Sequence, residues 1–438
     1  MGKNPIEKNQ PVPDAPAGID PPFTLPDNIV AVDPARLPDL SDLPFFMRKF
    51  VAVASKLNWG ALVVIFPDGR ALRFQGPNPG FESVLSIHDY AFAKSLLRRG
   101  TIGIAESYFN KQWSSPDVTT LLEVVSRNGD HVAAFFNSKF LVRLAQRFLH
   151  FLRQNTKRGA RQNIMAHYDM GNDFYAAWLD PTMTYSAALF TSNDQSISQA
   201  QTNKYRSLAL NIGLKPEHHL LEIGSGWGGF AEFAAEEIGC HVTGITISPE
   251  QLRFAEDRVA TKGLEDKVEF RLQDYRDVDG TYDRIASIEM FEAVGMQYWP
   301  VYFNKISQCL KPGGMAGLQI ITIADKHFDE YKTRTDFIQK YIFPGGMLPS
   351  PKALRTQVEL AELLWRDSVS FGPDYARTLK YWQKRFLQAW PKIQEMGFDD
   401  KFCLLWRYYL AYCEAGFRSG SLDVAQITLM KKDDHAII

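Results

Sequence analysis

Ten residues constrain this chain more than any others: Leu220-Leu-Glu-Ile-Gly-Ser-Gly-Trp-Gly-Gly229, an apolar strand, a glycine loop and a helix start. Gly224 and Gly226 let the backbone turn tightly and come close to a ligand. The surrounding pattern alternates. His219–Ile223, Val242–Ile245, Val268–Leu272, Arg284–Ile288 and Gly317–Thr322 read as buried strands. Gly229–Glu237, Pro249–Lys262 and Trp299–Leu310 read as the helices between them. Such alternation implies a mainly parallel sheet with helices on both faces.

Gly224, Gly226 and Gly229 fit the G-x-G-x-x-G spacing of dinucleotide enzymes, so the glycines alone do not separate the cofactors. Two other features favour S-adenosylmethionine over NAD. Glu222 sits inside the strand, and the second strand ends in Gly244-Ile-Thr-Ile-Ser248 without the acid that an NAD site uses on the ribose. Gln251 is then the nearest polar side chain able to reach a ribose. The plainer reading of the loop is a structural strand-to-helix turn.

The rest of the chain divides by composition. Residues 1–43 hold nine of the 24 prolines and read as an extended tail. Residues 44–130 read as a small α+β domain: strands Ala61–Phe66 and Arg70–Phe74 about a Pro67-Asp68-Gly69 turn, a strand from Phe81, and helices Asp89–Arg99 and Ser115–Asn128, with Asp117 in a first turn. Residues 131–160 read as a basic amphipathic linker helix, since 131–168 carry no Asp or Glu but include Arg143, Arg147, Arg153, Lys157 and Arg158. That helix suits anionic lipid headgroups, or else packs between domains with its arginines solvated. Residues 161–438 form the large catalytic domain. Its stripe of Leu379, Trp382, Phe386 and Trp390 suits a lid or wall over a pocket. With 49 Lys+Arg against 50 Asp+Glu, nucleic acid is not an expected partner. Four scattered cysteines (Cys240, Cys309, Cys403, Cys413) suggest neither a disulfide framework nor a metal site. No apolar run is long enough to span a bilayer, and the first residues lack the apolar core of a signal peptide.

From about residue 160 to 431 the chain resembles the cyclopropane fatty acid synthase family of S-adenosylmethionine-dependent methyltransferases. The resemblance rests on His167–Tyr175, Thr184-Tyr-Ser186, Leu221–Phe230, Gly244–Ser248 with Gln251, and Ser287-Ile-Glu-Met-Phe-Glu292. It continues through Tyr341–Gly346, Leu348-Pro-Ser350, Phe371–Tyr375, Trp406–Leu410 and Gly416-Phe417, and Gly103–Tyr108 resembles the family's N-terminal domain. It implies an α/β fold: a seven-stranded Rossmann-like methyltransferase sheet with a helical cap, plus the small N-terminal α+β domain. It implies that Tyr185, Ser186, Gly224, Gly226, Thr246, Ile247 and Gln251 line the cofactor, with Tyr275 and Arg276 near the adenine. It also implies an acyl-chain alkene as nucleophile, a carbocation in the chain, and a bicarbonate ion as base. Glu292 and Tyr375 match two ligands of that ion, and Ile321 matches a backbone contact. Two positions depart from the family: Ala187 stands for the usual Cys and Gln319 for the usual His. Alanine still offers its N–H, whereas glutamine hydrogen-bonds an anion but does not titrate near neutral pH.

The expectation is therefore methylation of a double bond in the acyl chains of a membrane phospholipid, by an enzyme peripheral to the cytoplasmic face of an anionic bilayer. Cyclopropanation narrowly leads, with a methyl-branched or methylene product next. A non-catalytic lipid-binding protein and a small-molecule methyltransferase are the rivals of other classes. A homodimer is left open by the sequence.

Overall fold

The computed structural model describes residues 24–129 and 170–433. The basic stretch with Arg143, Arg147, Arg153, Lys157 and Arg158, and most of the proline-rich tail, lie outside the described residues. The described chain forms two compact units. One holds the residues up to 129 with Leu379–Ala415; the other holds those from 170 to Thr378 with those from Gly416 onward.

In the first unit, β1 (Ile29–Ala31), β2 (Trp59–Ile65), β3 (Ala71–Gln75), β4 (Asn78–Ile87) and β5 (Trp113–Ser114) form a sheet in the order β1-β3-β2-β4-β5. The expected hairpin joins β2 to β3: Gly69 takes φ +84°, and Asp68 Oδ1 accepts from Arg70 N–H at 3.0 Å. The helix expected to end at Arg99 kinks at Gly100 and runs on to Phe109. Asp117 lies one step before the next helix, Val118–Arg127, as its N-cap, accepting from Thr120 N–H at 2.9 Å. The stripe of Leu379, Trp382, Phe386 and Trp390 is fully buried, and it belongs to this unit. The catalytic domain drawn from sequence as 161–438 thus lends 379–415 to the N-terminal unit. Helical spacing identifies an apolar face; it does not say which partner covers it. Here Phe386 meets Trp406, while Tyr408 packs against Tyr108 at 5.6 Å and Trp113 at 6.5 Å.

The second unit contains β6 (His219–Ile223), β7 (His241–Thr246), β8 (Val268–Leu272), β9 (Tyr282–Ile288), β10 (Leu310–Ile323), β11 (Leu363–Ser370) and β12 (Leu422–Lys431). They form the expected seven-stranded sheet, ordered β11-β12-β10-β9-β6-β7-β8. Strands β10, β9, β6, β7 and β8 run parallel; β12 is antiparallel to β10 and to β11. Alternation along a strand sends neighbours to opposite faces. Leu220 accordingly joins a core with Leu208, Phe230 and Val259, while Leu221 and Ile223 join another with Phe291, Tyr302 and Ile306. Both faces are covered, which is why these strands read as continuous apolar runs. The strand expected at Gly317–Thr322 begins earlier, at Leu310, which pairs with Tyr282; Lys311-Pro-Gly-Gly314 then interrupt the ladder, and pairing with β9 resumes at Met315 opposite Arg284. No helix among the described residues is long and apolar enough to cross a membrane.

Candidate active site

The carboxyl ends of the parallel strands gather the expected site residues on one edge, where α/β sheets bind ligands. After β6, Gly224, Gly226 and Gly228 take φ of +83°, +53° and +80°, a region that side-chain-bearing residues avoid. A Cβ on Gly224 would also lie 2.7 Å from Met290 Cγ, whereas one on Gly226 would meet nothing within 4 Å. The loop is therefore closed beneath Gly224 and open above Gly226. Its peptide is tied to the next strand, since the N–H groups of Gly224 and Ser225 both donate to Ile245 C=O at 3.0 and 2.9 Å.

Beyond β7, Thr246 Oγ1 donates to Gln251 Oε1 at 3.1 Å, and Ser248 caps the helix Pro249–Lys262. Thr246 and Gln251 are buried, and Ile247 is half-buried between them in sequence. After β8, Tyr275 packs edge-on to Tyr302, while Arg276 pairs with Asp274 at 2.6 Å and stands over the rings of Tyr275 and Tyr298. Tyr185 stands in an aromatic group with Tyr175, Trp178 and, through Tyr175, Trp227. Two buried hydroxyls on this edge, Ser225 Oγ and Tyr275 OH, have no hydrogen-bond partner among the described residues. Buried polar groups are normally satisfied. Two such orphans around an open glycine loop fit a nucleoside ligand bearing its own donors and acceptors, as S-adenosylmethionine does.

The other half of the edge differs from expectation. Glu289, directly after β9, is the residue on which the site converges. It is a non-glycine residue at φ +50°, held there by its N–H donating to Gln319 C=O at 2.8 Å. Its Oε1 accepts from Ala187 N–H and from Gln319 Nε2, each at 2.8 Å, and its Oε2 accepts from Tyr375 OH at 2.6 Å. Gln319 is turned to donate because its own Oε1 accepts from Gln426 Nε2 at 3.1 Å, its register partner on β12. The segment carrying Ala187 is pinned from the helix Ile197–Asn211: Gln201 Nε2 donates to Ser186 C=O at 3.0 Å and the buried Lys204 Nζ to Ser186 Oγ at 2.7 Å.

Glu292, the acid singled out from sequence, is placed differently. Its Oε1 accepts from Ile321 N–H at 2.6 Å, and its Oε2 is buried without a partner among the described residues. Ala187, Gln319 and Tyr375 thus do meet, but on Glu289, and Ile321 meets Glu292 itself. The donors expected to hold a bicarbonate ion are already occupied by protein carboxylates. The residues present do not fit that ion.

Electrostatics follow from burial. Removal from water, then the neighbouring Glu289 charge, push Glu292 up to about 8, so it is protonated at neutral pH. Burial also raises Glu222, on β6, to about 8. Burial lifts Glu289 above the usual carboxylate range, against the opposing pull of its three donors and of Lys204. Lys204 is lowered by burial, against the attraction of Glu289, Asp180 and Glu222. Sequence reasoning singles out neither Glu289 nor Lys204. The available signals were a second acid three residues before Glu292, and a lysine inside the buried helical stripe of Ala200, Gln201, Tyr205 and Leu208.

Known proteins similar to this chain identify its family. A family model described as mycolic acid cyclopropane synthetase matches residues 155–427. The tuberculostearic acid methyltransferase UfaA1 of Mycobacterium tuberculosis is 38% identical over 92% of this chain and 97% of its own. The cyclopropane-fatty-acyl-phospholipid synthase of Escherichia coli is 35% identical over 78% of this chain and 86% of its own. Among solved structures, the cyclopropane synthase MmaA2 of Mycobacterium tuberculosis superposes with a TM-score of 0.58 at 28% identity, covering 62% of this chain and 98% of that one. A mycolic acid cyclopropane synthase, CmaA1, solved with SAH, gives 0.57 at 32% identity, with the same coverage. The chain belongs to the cyclopropane fatty acid synthase family and is an S-adenosylmethionine-dependent lipid methyltransferase.

Proposed function

We propose that this enzyme methylates the double bond of an unsaturated acyl chain in a membrane phospholipid, leaving a methyl-branched or methylene-bearing chain. The observation that carries the reading is the meeting, on one sheet edge, of an open glycine loop with a carboxylate cluster and an aromatic wall. Bound S-adenosylmethionine supplies an electrophilic methyl group. Gly224, Gly226, Thr246, Ile247, Gln251, Tyr275 and Arg276 hold the nucleoside, and Tyr185 and Ser186 border the methyl end. Tyr175, Tyr185 and Trp227 offer ring faces to positive charge developing in the chain. Buried walls such as Phe174 and Phe291 keep water, which would trap a cation, away from it.

Two observations favour the open-chain product, reversing the order drawn from sequence. Ala187 and Gln319 stand where the resemblance leads one to expect Cys and His, and a relative 38% identical over 92% of this chain is named for a methyltransferase, not a cyclopropane synthase. Ring closure is the second reading, favoured by the family match at Glu292, Ile321 and Tyr375. Mass spectrometry after incubation with labelled methyl donor and unsaturated phospholipid vesicles separates them. Label in an olefinic or branched chain supports the first reading, and label in a ring overturns it.

Binding to an anionic bilayer is part of the proposal, through Arg143, Arg147, Arg153, Lys157 and Arg158. Wild-type protein should float with anionic liposomes, and charge reversal at Arg143 and Arg147 should weaken flotation. No flotation by the wild type would instead favour a soluble substrate. Light scattering tests for the homodimer.

A further inference from the structure

Resting on that reading, we infer that Glu289 is the enzyme's own proton acceptor, a tethered carboxylate standing where its relatives use a free anion. Three donors fix its two oxygens: Ala187 N–H, Gln319 Nε2 and Tyr375 OH, at 2.8, 2.8 and 2.6 Å. A carboxylate held on three sides is positioned, not merely neutralised. Its location at the end of β9 puts it on the edge that carries the glycine loop, and the residue as a whole keeps some exposure there. The left-handed backbone at this residue is uncommon for a glutamate, and such conformations persist where the surroundings enforce them. Here the Gln319 C=O, Ala187 and Tyr375 together do so.

The step balances without any free anion. The alkene π pair forms the new C–C bond to the sulfonium methyl carbon, and the S–C pair stays on sulfur. The chain carbon left behind is cationic. Glu289 Oε takes a proton from the adjoining chain carbon, and that C–H pair becomes the new double bond. Were the proton taken from the new methyl group, the same pair would close a ring. The neutral Glu289 returns its proton to solvent once the product leaves. Glu292, bound to Ile321 N–H and protonated, does not compete for the proton.

The test uses the full-length enzyme with unsaturated phospholipid vesicles, in buffer freed of carbon dioxide and in buffer with added bicarbonate. Wild-type turnover should be the same in both. Glu289→Gln should lower turnover by roughly 10²–10⁴-fold, the usual contribution of a general base, with SAH affinity within about threefold of wild type. Glu289→Gly suits the positive φ and vacates the donors, so added formate or bicarbonate should restore part of its activity. Wild-type turnover that vanishes without bicarbonate overturns the inference, as does near-normal turnover of Glu289→Gln in that buffer. If Glu289→Gln fails to bind SAH, the glycine variant with anion rescue decides: rescue supports the inference and its absence overturns it. Failure of the wild type to methylate any acyl chain would sink the functional reading itself, and is thereby told apart.

Discussion

The two halves of the active edge are built by different means. The half proposed to hold the cofactor, after β6 and β7, is made largely of backbone: glycines in the left-handed region and peptide N–H groups tied to Ile245. The half proposed to carry the reaction, centred after β9 and on β10, is made of side chains: Glu289, Gln319, Tyr375 and Glu292. A backbone site has few substitutes, because only glycine relieves both the φ and the contact at Gly224. A side-chain site can be altered by a handful of replacements, and here Ala187 N–H and Gln319 Nε2 both donate to Glu289. On the proposed function, cofactor binding and reaction outcome would then be separable properties of this edge.

The largest effect that could break the comparison is at Gly224. Gly224→Val places a branched side chain at φ +83° and against Met290. Strain of about 1–3 kcal/mol from each source should lower SAH affinity roughly 100-fold or more by titration calorimetry. Normal affinity would show that the loop is not backbone-limited. Next, Tyr375→Phe removes the 2.6 Å donor from Glu289. A hydrogen bond to a charged group is worth about 1.5–3 kcal/mol, so turnover should fall roughly 10–100-fold with SAH affinity unchanged. A parallel loss of SAH binding would merge the two halves.

A smaller effect concerns pH. Glu292 titrates near 4.5 when unfolded and at about 8 when folded. Between those values the native state holds a proton that the unfolded chain has released, so stability falls as pH rises through the window. Glu222 acts in the same sense. Thermal midpoints measured from pH 5 to 8 should therefore decline, and Glu292→Gln should flatten the decline; an unchanged slope would mean that Glu292 is already ionised in the fold. The smallest effect calibrates the rest. Asp117→Ala, at a helix cap in the other compact unit, should cost about 1 kcal/mol and leave turnover unchanged.

The same contrast explains what was legible in the sequence. β6, β8 and the helix Pro249–Lys262 stand at the residues where apolar runs, glycines and the Ser248-Pro249 cap placed them. Local chemistry decides such elements. β11 and β12 escaped notice, since LLWRDSVS and LDVAQITLMK have irregular polar interruptions and their pairing is set by distant partners. Glu289 escaped for a related reason. Two acids stand three residues apart in Ser287-Ile-Glu-Met-Phe-Glu292, and nothing in their spacing says which one Tyr375, 86 residues away, will meet. Only the left-handed turn after β9 decides it.

The return of Leu379–Ala415 to the N-terminal unit sets a timetable for the nascent chain. Trp113 and Tyr108 are made early, but their neighbour Tyr408 comes about 300 residues later. At about 5–20 residues per second of synthesis, the first unit waits roughly fifteen seconds to a minute with its aromatic face uncovered. Most of the methyltransferase sheet is synthesised in that interval. The domain that leads the chain is thus among the last to be finished, and a ribosome-bound intermediate truncated before residue 379 would expose that face to chaperones.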